Sequence, residues 1–152
     1  MVTVSDRSAA GERADTSGPL LVDLLRSLGF QAADPVVVPD ETDAIEAALR
    51  AAIASGADLV VTTGGTGLGP RDVTPEATER VLDRPVPGIA EALRQFNREQ
   101  IPTTVLSRAV AGVAGSSLVV NLPGSTGGVR DGVAVLSPVI GHAIAQLRGG
   151  DH

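Results

Sequence analysis

The chain has no cysteine, lysine, tryptophan or tyrosine among its 152 residues. The first absence excludes disulfides, thiolate nucleophiles and cysteine-based metal sites. The second excludes Schiff-base chemistry and the lysine of a P-loop. Phe30 and Phe96 are the only aromatic residues, so the stacking platforms used by single-strand binders are missing. The twelve arginines are scattered through a chain of net charge -6, a field that repels a phosphate backbone, so nucleic acid is not an expected partner. There is no apolar run of about eighteen residues and no charged, apolar, small-residue leader, which predicts no membrane span, no secretory signal and a cytoplasmic location. Of two imidazoles, His142 lies in the apolar stretch "VIGHAIA" and reads as a helix histidine, while His152 is the last residue. Catalysis is left to carboxylates, hydroxyls, arginines, backbone amides and a metal.

What remains is ordinary globular composition, 43% hydrophobic and 20% charged. The length suits one domain over residues 1–152, with no repeat or linker. "VTVSDR", residues 2–7, reads as a short strand ending in polar residues, "PVVVPD" as a β-branched strand ending at Asp40, and "DLVVTT" as a buried strand leading into glycines. Between them, "TSGPLLVDLLRSLGF" and "TDAIEAALRAAIASG" carry apolar residues at helical spacing; Gly29 and Gly56 are placed as stops, and Thr42 or Asp43 as the second helix's cap. The order strand, helix, strand, helix, strand predicts an α/β fold in three layers around a mostly parallel sheet. Further on, "PEATERVLD" predicts a helix capped by Thr74, and "GIAEALRQFNRE" another helix. "RPVPG" reads as a connection and "SSLVVNLPG" as a strand breaking into a loop; the tail predicts two helical segments parted near Ser137-Pro138.

The most informative stretch is "TTGGTGLGPRDVTP", residues 62–75, with glycines at 64, 65, 67 and 69 followed by Arg71 and Asp72. It fits neither the P-loop nor the dinucleotide-binding fingerprint, and no G-x-S-x-G elbow is present. In an open α/β sheet, ligands bind beyond the carboxyl ends of the strands, and glycine lets backbone N–H groups approach an anion. The same rim should gather Ser5 and Asp6, Asp40, and Asn121-Leu122-Pro123-Gly124-Ser125. Acidic groups beside an anion site imply a cation between them, and Mg²⁺ is commonly held by one or two carboxylates plus substrate phosphates, which makes Asp40 and Asp72 candidate ligands. Other readings stay open at this point: residues 64–70 as a tight turn, Asp40 as a helix cap, "NLPGS" as a plain turn, and Ser107-Arg108 as solvated loop.

"VSDR", "PDE", "TTGGTGLGPRDVTPEAT", "LSRAVAG" and "NLPGS" occur in the order and approximate spacing of the Mog/MoaB molybdopterin-binding family, which includes the gephyrin G domain. The chain resembles that family over nearly its whole length. The resemblance implies an α/β domain, a homotrimer, and a role in molybdenum cofactor synthesis. It further implies a molybdopterin adenylyltransferase that moves AMP from Mg-ATP to the molybdopterin phosphate, releases pyrophosphate, and hands its product to a molybdate-insertion protein. The alternative it leaves is a non-catalytic molybdopterin carrier of the MoaB type. By the same resemblance, Asp40 and Asp72 are the catalytic, Mg²⁺-binding aspartates. Substrate contacts fall on Ser5, Gly64, Gly65, Thr66, Gly67, Ser107, Asn121, Pro123, Gly124 and Ser125. Relatives commonly carry a lysine shortly after "PGS", where this chain has Gly127-Gly128 and then Arg130, so an anion contact is expected to be lost or moved to that arginine.

Overall fold

A computed structural model describes residues 1–150; His152 lies outside the described residues. Six strands form one sheet in the order β2-β1-β3-β6-β5-β4. The strands are β1 (Val2–Val4), β2 (Val36–Val38), β3 (Leu59–Thr63), β4 (Arg84–Pro85), β5 (Ala111–Ala114) and β6 (Ser117–Leu122). β1, β2, β3 and β6 run parallel, whereas β5 and β4 add antiparallel at one edge. The helices are α1 (Asp6–Ala9), α2 (Ser17–Ser27), α3 (Thr42–Ala54), α4 (Thr74–Glu79), α5 (Pro87–Gln95) and α6 (Thr126–Leu147), with a 3₁₀ turn at Pro102–Leu106.

Strand alternation divides the core in two, because successive side chains of a strand point to opposite faces. Val61, Val120 and Leu122 pack under Leu21 and Leu25 of α2 and Val129, Val133, Leu136 and Ile140 of α6. Val60 and Val119, with Val2 and Val4, pack on the other face against Ile45 and Leu49 of α3 and Ala77 and Val81 beside α4. This is the expected three-layer α/β arrangement.

The topology also fixes where a crevice must open. From β1 the chain moves outward to β2, while from β3 it proceeds toward β6 on the other side. β1 leads to α2 on one face and β3 leads to α4 on the opposite face, so the loops after these adjacent strands diverge. That is a topological switch point, the usual ligand position in open α/β sheets.

Several local expectations are corrected. The first strand stops at Val4 and does not run on to residue 7, because Ser5 caps α1 and Asp6 and Arg7 are helical. α6 is one continuous helix of 22 residues with Pro138 inside it. Proline removes the N–H that would serve the Ala134 carbonyl, and the neighbouring Ser137 hydroxyl donates to that same carbonyl at 3.4 Å. "RPVPG" is more than a connection, since Arg84 and Pro85 pair with Val113 and Gly112 as an edge strand, where proline is tolerated. The cap of α3 is Glu41, and Thr42 and Asp43 lie within the helix. α4 starts at Thr74 behind Val73, leaving the Thr74 side chain free for another task.

Candidate active site

The glycine loop leaves β3 against the end of β1. Gly64 has φ +96, and a Cβ there would stand 2.2 Å from the Val4 carbonyl oxygen, so only glycine fits both the conformation and the space. The Gly64 N–H donates to the Leu122 carbonyl (3.0 Å), and the Thr74 hydroxyl donates to the Gly64 carbonyl (2.9 Å). Thr74 is thus buried as a brace between loop and helix. A Cβ on Gly124 would lie 3.1 Å from the Gly64 Cα, which brings the "NLPGS" turn against the loop.

The two candidate aspartates flank this loop. Asp40 Oδ1 lies 3.1 Å from the Cβ position of Gly65, and Asp72 Oδ2 lies 2.9 Å from that of Gly67 and 2.8 Å from that of Gly69. Asp72 Oδ2 also accepts from the Gly69 N–H at 2.8 Å. Asp40 does not cap α3. Its Oδ2 accepts from the Asp6 N–H (2.8 Å), and its own N–H donates to Asp6 Oδ1 (2.9 Å), a reciprocal pair that joins the ends of β1 and β2. Arg71 then closes on Asp6 with two bonds, of 3.0 and 2.9 Å. Asp6 is held below the usual carboxylate range, first by its bond from Arg71 and then by the Asp40 N–H. Asp40 is pushed above that range, chiefly by burial, with the negative charges of Asp6 and Asp72 adding to it against the opposing Asp6 N–H bond and Arg71 charge.

A cavity of about 350 Å³ opens beside the loop, lined by Ser5, Arg13, Asp15, Ser17, Gly124 and Ser125 among others. Its polar lining is tied down locally. Ser5 Oγ accepts from the Ser8 N–H, Ser125 Oγ accepts from the Gly128 N–H, and Asp15 accepts from Thr3, Ser17 and the Gly18 N–H. Arg13 is the cation on this wall, whereas Arg130 is exposed on α6 and does not line it. A larger cavity, about 720 Å³, lies at the opposite, amino end of the strands among Met1, Phe30, Val36, Ala48, Leu59 and Ile144. It is mainly aliphatic and remote from the glycine loop; the smaller, polar cavity adjoins that loop through Gly124, while Asp40, Asp72 and residues 64–72 stand beside it and are not among its lining residues.

The structure therefore brings together Ser5, Asp40, Gly64, Gly65, Gly67, Asp72, Gly124 and Ser125. Pro123 packs against α6, 2.7 Å from the Cβ position of Gly128. Asn121 belongs to the interior instead: it is fully buried, its amide donates to Thr62 (3.0 Å) and Thr78 (2.9 Å), and its carbonyl oxygen accepts from the Val110 N–H. A side chain so engaged is a cross-link between β6, β3 and α4 rather than a ligand contact. The Ser107 hydroxyl accepts from the Ala109 N–H within its own turn, while Thr66 offers its carbonyl to the Arg108 N–H at 2.9 Å. Arg71 and Arg108 fall inside the quoted motifs but carry no role in the sequence reading, because their partners are 65 and 32 to 41 positions away and are met only in the folded chain.

Residues 1–142 match the sequence family described as "Probable molybdopterin binding domain". The chain belongs to that family. Within the molybdopterin binding domain family it is 47% identical over 152 residues to a molybdenum cofactor biosynthesis bifunctional protein of Synechococcus elongatus, covering all of this chain and 48% of that protein. A molybdopterin adenylyltransferase of Pyrococcus furiosus is 39% identical over 153 residues, covering 97% of this chain and 89% of that one. Among solved structures, a molybdopterin biosynthesis protein from Mycobacterium abscessus superimposes with a TM-score of 0.92 at 49% identity, covering 97% and 94% of the two chains. The chain spans about half the length of its bifunctional relatives, which are 48% and 49% covered.

The donor set also bears on a metal. Among the described residues no group of three or more His, Asp or Glu side chains could hold one. Two carboxylates beside backbone amides do not make an all-protein cage, but they match the way Mg²⁺ is bound together with substrate phosphates.

Proposed function

We propose that this chain is a molybdopterin adenylyltransferase of molybdenum cofactor biosynthesis. The observation that carries the reading is the placement of Asp40 and Asp72 against successive glycines of one loop, at the sheet's switch point. The names of relatives at 37–40% identity support the reaction class. In the reaction, an oxygen of the molybdopterin phosphate attacks the α-phosphorus of ATP. The bond from that phosphorus to the α,β-bridging oxygen breaks, and pyrophosphate leaves.

The chain's own residues bind and orient. Backbone N–H groups from Gly65 to Gly67 would bind an anionic group, the Gly64 N–H being taken by the Leu122 carbonyl, and the cavity carrying Ser5, Gly124 and Ser125 would seat the pterin end. Asp40 and Asp72 would hold Mg²⁺, which supplies charge neutralisation on the nucleotide phosphates when bound. No protein nucleophile is required, which suits a chain without cysteine or lysine. Rate enhancement then comes from positioning and electrostatic stabilisation. Arg13 stands where it can offer the cationic contact that relatives draw from a lysine after "PGS".

The wider reading is one domain over residues 1–152 that works in the cytoplasm as a homotrimer and passes its product to a molybdate-insertion protein. Exposed Phe96, Ile101, Val105 and Leu106, clustered in sequence around the 3₁₀ turn, support burial in an assembly. The deciding experiment is Mg²⁺-dependent pyrophosphate release from ATP and molybdopterin, with Asp72→Asn beside the wild type. A wild type that releases pyrophosphate and a variant slowed by on the order of a hundredfold or more fit adenylyl transfer. Pterin binding by both proteins with release by neither establishes a carrier instead.

A further inference from the structure

We infer that Arg108 is a positioning residue: its guanidinium holds the two limbs of the glycine loop at the separation that Gly67 and Asp72 need. This deepens the adenylyltransferase reading and rests on it for its catalytic consequence. The loop from Gly64 to Asp72 includes four glycines, so it has few side chains of its own with which to resist the entropy of disorder. Order has to come from outside.

Arg108 supplies it from the segment before β5. Its main-chain N–H donates to the Thr66 carbonyl (2.9 Å), and its Nε donates to the Gly67 carbonyl (2.8 Å), both on the outgoing limb. On the returning limb, Nη2 donates to the Asp72 carbonyl. Nη1 pairs with Glu76 in the first turn of α4, which orients the fork. One planar, fixed donor set thus spans both limbs and the following helix. A lysine ammonium is a single point charge and cannot reach these carbonyls and the carboxylate together. Arg71 anchors the same loop on its other side, through Asp6 to Asp40. The guanidinium touches no substrate in this arrangement; it acts through the backbone that presents an amide at Gly67 and a carboxylate at Asp72.

The test compares wild type, Arg108→Lys, Arg108→Gln and Glu76→Gln, with Arg26→Gln on α2 as an exposed control, by peptide-resolved amide exchange and by pyrophosphate release. Expected for both Arg108 variants is faster exchange confined to residues 64–72, with β3 and β6 still protected. Expected too is a kcat lowered on the order of tenfold to a hundredfold while KM for ATP moves by less than about threefold. Glu76→Gln should fall between these and wild type, and it keeps the idea testable if an Arg108 variant fails to fold. The proposal is overturned if exchange at 64–72 matches wild type, if acceleration spreads evenly over the chain, or if lysine preserves kcat. A wild type that releases no pyrophosphate sinks the adenylyl transfer reading alone, and the exchange pattern still decides whether Arg108 holds the loop.

Discussion

At Asp40, burial and neighbouring negative charge oppose ionisation, and the fold keeps the carboxyl in place through the Asp6 N–H. Its pKa in the folded protein lies above the unfolded value, so the native state binds the proton more tightly. The stability contributed by that proton is complete below the unfolded value of about 3.9 and is lost as pH rises through the folded one. At neutral pH the ionised side chain is a burden on the fold. Asp40→Asn should therefore melt at a higher temperature than wild type at neutral pH, with the gap closing as pH falls toward 4, while pyrophosphate release is lost. Melting curves over that range check this, and an equal or lower melting temperature for the variant at neutral pH would contradict it. That Asp40 and Asp72 would lie beside the glycine loop was legible in the sequence, because each sits just past a strand or glycine signal. The Asp6–Arg71 pair was not, since its members are 65 residues apart and meet only once the sheet is assembled.

Between elements, the junction of β1, β3 and β6 depends on atoms too close for any side chain. Gly64→Ala meets the Val4 carbonyl in addition to an unfavourable backbone conformation, and both partners are backbone that cannot move aside. The substitution should destabilise by at least about 2 kcal/mol in urea unfolding. Asn121→Ala removes the link among β6, β3 and α4, leaving the buried Thr62 and Thr78 hydroxyls and the Val110 N–H short of a partner. A loss of about 2–4 kcal/mol is expected. Molybdopterin affinity per folded molecule should stay unchanged; a large drop in affinity with little loss of stability would make Asn121 a ligand contact after all. Element type was readable wherever apolar period and length agreed, as in α2, α3 and β3. It was misread where a single local bond overrides a rule, as when Ser137 serves the carbonyl that Pro138 leaves, or where two residues suffice for an edge strand, as in β4. Strand alternation told which residues face inward, but not that Asn121, at the end of a buried strand, would turn its amide toward Thr62 and Thr78 rather than the rim.

For the whole molecule, the reading sets an anionic protein to bind two anionic substrates. With a net charge of -6, the long-range field repels ATP and the molybdopterin phosphate, and attraction begins only within reach of the loop amides, Arg13 and the proposed Mg²⁺ site. Salt screens the first effect strongly, because the Debye length is about 10 Å at 0.1 M and shorter above it. It weakens the second less, because charges closer together than the Debye length are screened least. Raising ionic strength from about 0.02 to 0.2 M at fixed free Mg²⁺ should therefore lower KM for ATP by a factor of about two or more, the opposite of a basic nucleotide-binding surface. Steady-state kinetics across that range, with kcat recorded separately, isolates the field from the chemistry. A KM that climbs with salt would mean that exposed arginines, not backbone amides and a shared cation, dominate nucleotide capture.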